Sequence, residues 1–159
     1  MDKLSRLKVK IGYPNEWRDY SRLEIRPNEL VDNVHNAKIF DWLRRVARLN
    51  LPVDRYEWDM TPQTVNTGYS SNLNEVVLPA GQLQAPYFGP AADPAVNYGG
   101  IGAVIGHELI HGFDDDGRKY NGAGALSNWW TDADAREFNA RAAELSQQYS
   151  SFEPLPGCI

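Results

Sequence analysis

The chain has 159 residues, 42% of them hydrophobic and 23% charged, with a formal net charge of −5. That suits one globular domain burying roughly 68–70% of its unfolded surface, and it excludes a fibrous or wholly disordered protein. The acidic balance, with no basic patch, argues against nucleic acid as a partner; the lone Cys158 excludes an intrachain disulfide framework; and no apolar run reaches the length, about 18 residues, of a membrane segment in this chain.

The opening MDKLSRLKVKIGYP is basic but lacks the apolar h-region and cleavage site of an export signal. In IGYPNEWRDYSRLEIRPN, Leu23 and Ile25 alternate with Glu24 and Arg26, which predicts a short strand or extended arm, with Trp17 and Tyr20 as packing residues. From Glu29 to about Arg48, Leu30, Val34, Ala37, Leu43 and Ala47 recur at helical spacing, predicting an amphipathic helix capped by Asn28. QTVNTGYSSNLNEVVLPAG predicts a hairpin from two β-prone runs, Thr64 to Tyr69 and Glu75 to Leu78, joined by a Ser/Asn cluster. After a Pro/Gly-rich connector from Gly81 to Pro94, the segment from about Tyr98 to Phe113 is apolar on most sides, as a helix buried in a core would be. Thr131, three residues before Asp134, starts a last helix with a capping-box pattern and a stripe of Ala135, Phe138, Ala142, Leu145 and Tyr149.

The chemistry concentrates in His107-Glu108-Leu109-Ile110-His111. Residues four apart on a helix share one face, so both imidazoles reach a single Zn²⁺ at about 2.0–2.1 Å. Glu108 sits about 100° round the helix, too displaced to be an equivalent third ligand but well placed to hydrogen-bond a water on the metal. Zinc lowers the pKa of such a water to about 7, and a carboxylate that collects its proton and passes it to a leaving amine completes the needs of peptide hydrolysis. Glu108 is the candidate general base, and Zn²⁺, one per site, the cofactor. Chance would produce this pattern roughly 0.003 times in such a composition.

Other motifs fail. GGIGAVIG carries Gly100 and Gly102 but has Ile105 where a dinucleotide fingerprint needs Gly or Ala. Asp114, Asp115 and Asp116 before Gly117 miss a calcium loop because Gly112 fills an acidic position. Asp114 and Gly117 also stand where the longer H-E-x-x-H-x-x-G-x-x-H pattern has its Gly and third His, so the third metal ligand comes from elsewhere. His35 reads as a surface or cap histidine rather than a ligand.

NLNEVVLPAGQLQAPYF, VNYGGIGAVIGHELIHGFDDDG and LSNWWT, with GYPNEWRDYS and YEWDMTPQTVN in order, resemble the neprilysin family of zinc metallopeptidases, which includes the endothelin-converting enzymes. The resemblance implies an α+β fold: part of a thermolysin-like zinc peptidase catalytic region, with a small antiparallel sheet packed on the H-E-x-x-H helix. Residues 1–159 would be a partial catalytic domain, the family's N-terminal helical region and C-terminal catalytic segment lying outside it. His107 and His111 are then the zinc ligands, Glu108 the catalytic base, and Asp114 a carboxylate that orients a ligand imidazole.

The same resemblance matches Val65 to Tyr69 with a substrate-binding edge strand, where the Asn66 side chain and the Thr67 backbone hold a peptide main chain. The family usually has Ala and then an aromatic where Thr67 and Gly68 stand. Tyr87, matching a family Phe, and Ala103 with Val104 resemble the wall of the apolar pocket that receives the side chain after the scissile bond. The family's third ligand is a Glu in an E-x-x-x-D motif on a later helix. Glu137 and Glu144 are followed at that spacing by Arg141 and Gln148, so a missing C-terminal catalytic segment, in cis or in trans, is the implied partner. Peptide substrates and an extracytoplasmic location are implied too. The alternative is a catalytically incomplete fragment or relic that binds zinc or a partner without turnover.

Overall fold

The computed structural model describes residues 2–153, in two units: 2–13 with 60–153, and Pro14–Asp59. The first unit opens with a short helix, α1 (Asp2–Ser5), and a strand, β1 (Lys8–Gly12).

The second unit is built round α2 (Leu30–Ala47). The helix forms where the apolar spacing places it, but its cap differs from the expectation. Asn28 has φ 63°, a left-handed backbone unlike that of an N-cap, and Glu29 takes the cap position without a side-chain hydrogen bond. None of the α2 residues is buried. Ion pairs and ring contacts hold the helix to its unit instead. Glu57 receives Arg44 and Arg48 and, at 3.5 Å, Arg18, while Asp41 pairs with Arg44 at 3.0 Å and Arg45 at 2.7 Å. Tyr20 stacks on Phe40 with centroids 5.7 Å apart, whereas Trp17 is largely exposed. The arm carrying Leu23 and Ile25 forms no strand; the Glu24 and Arg26 carbonyls accept from Asn36 Nδ2 (3.3 Å) and Asn33 Nδ2 (2.7 Å). His35 is exposed.

In the first unit, β2 (Gly68–Ser70) and β3 (Glu75–Pro79) form the expected antiparallel hairpin, with Gly68 opposite Val77. Its first strand starts later than Thr64, because the Thr64 amide closes a turn onto the Thr61 carbonyl at 2.9 Å instead of joining the ladder. The wholly antiparallel sheet expected from the sequence is corrected to a mixed one: β1 runs parallel to β3, Lys8 opposite Glu75, giving the order β1-β3-β2. KVKIG alternates polar with apolar residues as a strand does, but its faces are the reverse of the usual half-buried strand's. Val9 and Ile11 face outward, while Lys10 turns inward to pair with the buried Glu75 at 2.8 Å. Central β3 is buried at every residue, which is why EVVLP is a continuous apolar run after its Glu.

Val76 and Leu78 of β3 join Ile101 as the buried core, with Tyr69, Val104, Ile105 and Leu109 packed on it. Each such aliphatic contributes roughly 1.5–3 kcal/mol. Asn74, fully buried with φ 49°, locks the turn into β3: it accepts the Tyr69 hydroxyl (2.8 Å) and donates to the Lys3 (2.9 Å) and Gly122 (3.2 Å) carbonyls. Asn74→Ala orphans these groups, so stability should fall by about 1–3 kcal/mol, read as a lower urea midpoint. An unchanged midpoint would reject the clasp.

Beyond the hairpin, α3 (Pro94–Asn97), a π-helical turn (Tyr98–Gly102) and α4 (Ala103–Ile110) run end to end, where the sequence predicts one helix from about Tyr98 to Phe113. Asp93 caps α3 by accepting from the Ala95 amide at 2.8 Å. Within the π turn and α4 only Ile101 and Glu108 are buried, and Tyr98 and Ile110 are exposed, so one side alone is covered. The LSNWWT stretch then packs as a chain of rings, Phe113 on Trp129 at 5.9 Å and Trp130 on Phe138 at 5.0 Å.

The last helix, α5 (Asp132–Ser150), starts with the expected capping box: Thr131 Oγ1 accepts from the Asp134 amide at 3.2 Å, and the Thr131 amide donates to Asp134 Oδ2 at 2.8 Å. Hydrogen bonds from the Thr131 side chain and backbone hold the Asp134 carboxyl below its usual range. A lowered folded pKa means a contribution present above the unfolded value, about 3.9, and lost as pH falls through the folded value. Thr131→Ala should therefore lower the midpoint of helix loss by circular dichroism at pH 7, and lower it less once Asp134 is protonated. Among the described residues, no helix is long and apolar enough to cross a membrane.

Candidate active site

The H-E-x-x-H residues are set by α4 and the turn that precedes it. The Ile101 amide donates to the Tyr87 carbonyl at 2.8 Å, and a Cβ at Gly100 would lie 2.4 Å from that same oxygen, so only glycine allows this approach. α4 then carries His107 and Glu108, with His111 as its C-cap residue. His107 is exposed, His111 half-buried, and Glu108 only 7% exposed.

The two imidazoles converge. Their Nε2 atoms are 3.1 Å apart, with ring planes at 85°. An ion bound tetrahedrally at 2.0–2.1 Å from each nitrogen would hold them about 3.3 Å apart, so the pair fits one zinc-sized ion. His111 Nδ1 faces Asp114 Oδ2 at 2.9 Å. An ionised carboxylate only accepts, so Nδ1 carries the proton and Nε2 keeps its lone pair for a metal.

Asp114 is itself fixed. Its Oδ1 accepts from the Gly117 amide at 2.7 Å and the Asp116 amide at 3.0 Å. Burial pushes its carboxyl up, but hydrogen bonds from Gly117, His111 and Asp116 outweigh that and leave it below the usual carboxylate range. Nearby, the Lys3 ammonium, 6% exposed, donates to the Gly117 (2.7 Å) and Tyr120 (2.8 Å) carbonyls. Burial lowers its pKa and the Asp114 charge opposes the fall. Burial and the same charge push the Tyr69 phenol up to about 12.

On the other side of Glu108, the Thr67 hydroxyl donates to Oε1 at 2.5 Å. Thr67 and the exposed Asn66 immediately precede β2, an edge strand of the sheet. Tyr87 lines a cleft of about 550 Å³ with Val65, Gln63 and Gln84. Ala103 and Val104 do not line that cleft: Ala103 is exposed, and Val104 packs on the core. Glu137 and Glu144 lie exposed on α5, and among the described residues no three His, Cys, Asp or Glu side chains converge as a metal site. Lys3 is not legible as a site residue, and the resemblance implies only a backbone contact for Thr67; the bonds of the Lys3 ammonium and the Thr67 hydroxyl both act across a large sequence gap.

The model of peptidase family M13 matches residues 66–158, more than half of the chain. The chain belongs to peptidase family M13. Neprilysin-3 of Drosophila melanogaster is 36% identical over 160 residues, covering 96% of this chain and 20% of that protein. Endothelin-converting enzyme 1 of Mus musculus is 39% identical over 158 residues, covering 92% and 20%. The crystal structure of the Mycobacterium tuberculosis zinc metalloprotease Zmp1 in complex with inhibitor superposes with TM-score 0.88 at 54% identity, over 96% of this chain and 23% of that one. The resemblance to the neprilysin family thus holds. The chain spans about a fifth of the length of the curated M13 relatives it matches.

Proposed function

We propose that residues 1–159 are part of the catalytic domain of a zinc-dependent metalloendopeptidase that hydrolyses oligopeptides. The observation that carries this reading is the pair of Nε2 atoms 3.1 Å apart, one fixed by Asp114, beside a buried glutamate. His107 and His111 would hold one Zn²⁺, which when bound acts as a Lewis acid toward the scissile carbonyl and acidifies water. Glu108 takes the proton of the attacking water and returns it to the leaving amine. Asp114 fixes the His111 ring. The Asn66 side chain and the Thr67 backbone bind the peptide main chain at the edge beside β2, and Tyr87, with Ala103 and Val104, shapes the binding of the side chain after the scissile bond. Location outside the cytoplasm is taken from the family resemblance.

The third protein ligand would be a carboxylate from a C-terminal catalytic segment, in cis or as a second chain, since two His and one carboxylate suit a catalytic zinc site. The alternative of a zinc-binding fragment without turnover draws on the same two-ligand set. Isothermal titration and a quenched-fluorescent peptide separate these readings. The 159-residue chain alone should bind zinc weakly and cleave nothing, and adding the carboxylate-bearing segment should restore tight binding and chelator-sensitive cleavage. Tight binding and turnover by the chain alone would assign the third ligand to an in-chain group such as Glu137 or Glu144. Restored zinc binding without cleavage would leave the fragment reading.

A further inference from the structure

The Glu108 carboxylate makes one hydrogen bond among the described residues, and its donor lies outside the H-E-x-x-H helix. Thr67 Oγ1 stands 2.5 Å from Glu108 Oε1, across a sequence gap of 41 residues. An ionised carboxylate has no proton to give, so the hydroxyl donates, and a bond this short to a charged acceptor belongs to the strong class. We propose that Thr67 is a positioning residue for the peptidase reaction: its hydroxyl anchors Oε1 of the general base and leaves Oε2 as the proton-carrying oxygen.

The inference rests on the reading of Glu108 as the base. A glutamate has three side-chain torsions, and holding one oxygen leaves the other a narrow arc in which to meet the attacking water. The anchor serves both halves of the proton transfer. When Oε2 takes a proton, Oε1 becomes the carbonyl oxygen of a carboxylic acid and still accepts from Thr67, so the side chain keeps its direction until the proton passes to the leaving amine. Thr67 is half-buried and Glu108 is buried, so water competes little for the bond. Thr67 also follows Asn66 directly and leads into β2 (Gly68–Ser70). The segment assigned to the peptide main chain is therefore the one that aims the base.

Thr67→Val keeps the β-branched shape and the backbone amide and carbonyl but removes the donor; Thr67→Ser restores it. Both are made in the complete enzyme that carries this chain, loaded with stoichiometric zinc. Thr67→Val should lower kcat by about 10–100-fold, the worth of a hydrogen bond to a charged group, with KM little changed, and Thr67→Ser should recover most of the loss. Crystals of the zinc-free Thr67→Val protein should show the Glu108 carboxylate moved from its place, and those of Thr67→Ser should not. A Thr67→Val enzyme with parental kcat, or with Glu108 unmoved, overturns the proposal while leaving Glu108 as the base. A loss seen in KM alone, or one that Ser does not rescue, overturns it in favour of packing or substrate contact. If the parent enzyme shows no chelator-sensitive cleavage, the peptidase reading fails first and this role fails with it.

Discussion

Replacing Glu108 by Gln in the complete enzyme that carries this chain should leave zinc bound and lower kcat by about 10²–10⁴-fold, the usual contribution of a general base. The amide keeps the shape of the carboxylate, and its oxygen can still accept from the Thr67 hydroxyl that now bonds Oε1 at 2.5 Å. That contact fixes the outcome at the other atom. With the oxygen turned to Thr67, the NH₂ group occupies the place of Oε2 and meets the attacking water as a donor, with no basic lone pair. Neither imidazole is touched, so zinc stoichiometry by titration should match the parent. Near-full turnover at one zinc per chain would remove Glu108 from the role of base.

The second large effect belongs to a residue that is not proposed to touch the metal. In Asp114→Asn, one end of the amide must face the Gly117 and Asp116 amides, which donate to Oδ1 at 2.7 and 3.0 Å and so require an oxygen there. The NH₂ is then forced toward His111 Nδ1, at 2.9 Å in the parent. A donor at that place makes Nδ1 the acceptor and moves the ring proton to Nε2, the atom that points at His107. The fold is kept and one ligand lone pair is lost. Zinc affinity should drop by about 10–100-fold, the scale seen when a partner behind a ligand is changed, while the urea midpoint of the zinc-free protein moves far less. Parental zinc affinity in the Asn variant would show that Asp114 does not set the His111 tautomer.

How far the sequence foretold this molecule depended on the range of the interaction. Local patterns were read well: the spacing of α2, the hairpin of β2 and β3, and the Thr131–Asp134 capping box are each specified within a few residues. The His107–His111 pair and its Asp114 partner are likewise spaced by one turn, so a single segment encodes them. What escaped was non-local. The KVKI alternation is a short strand pattern, but nothing within it names its partner: Lys10, not Val9 or Ile11, faces inward to meet Glu75, 65 residues on. Thr67 read as a departure from the family pattern at a backbone contact; the partner of its hydroxyl sits on another element. Tyr87, Ala103 and Val104 carry no local pattern that groups them; only the family resemblance does.

The buried ammonium of Lys3 gives the fold a temporal order. Its bonds to the Gly117 and Tyr120 carbonyls span 114 and 117 residues, and β1 joins β3 across a shorter but still long interval, Lys8 pairing with Glu75. Contacts of such separation close late and slowly, after helices and hairpins have formed. During synthesis β1 therefore waits for its strand partner until β3 has been made, and the loop behind His111 gains its two bonds from Lys3 only when Tyr120 is out. The His107–His111 end of α4 can form early; its rigidity arrives with the docking of α1 and β1.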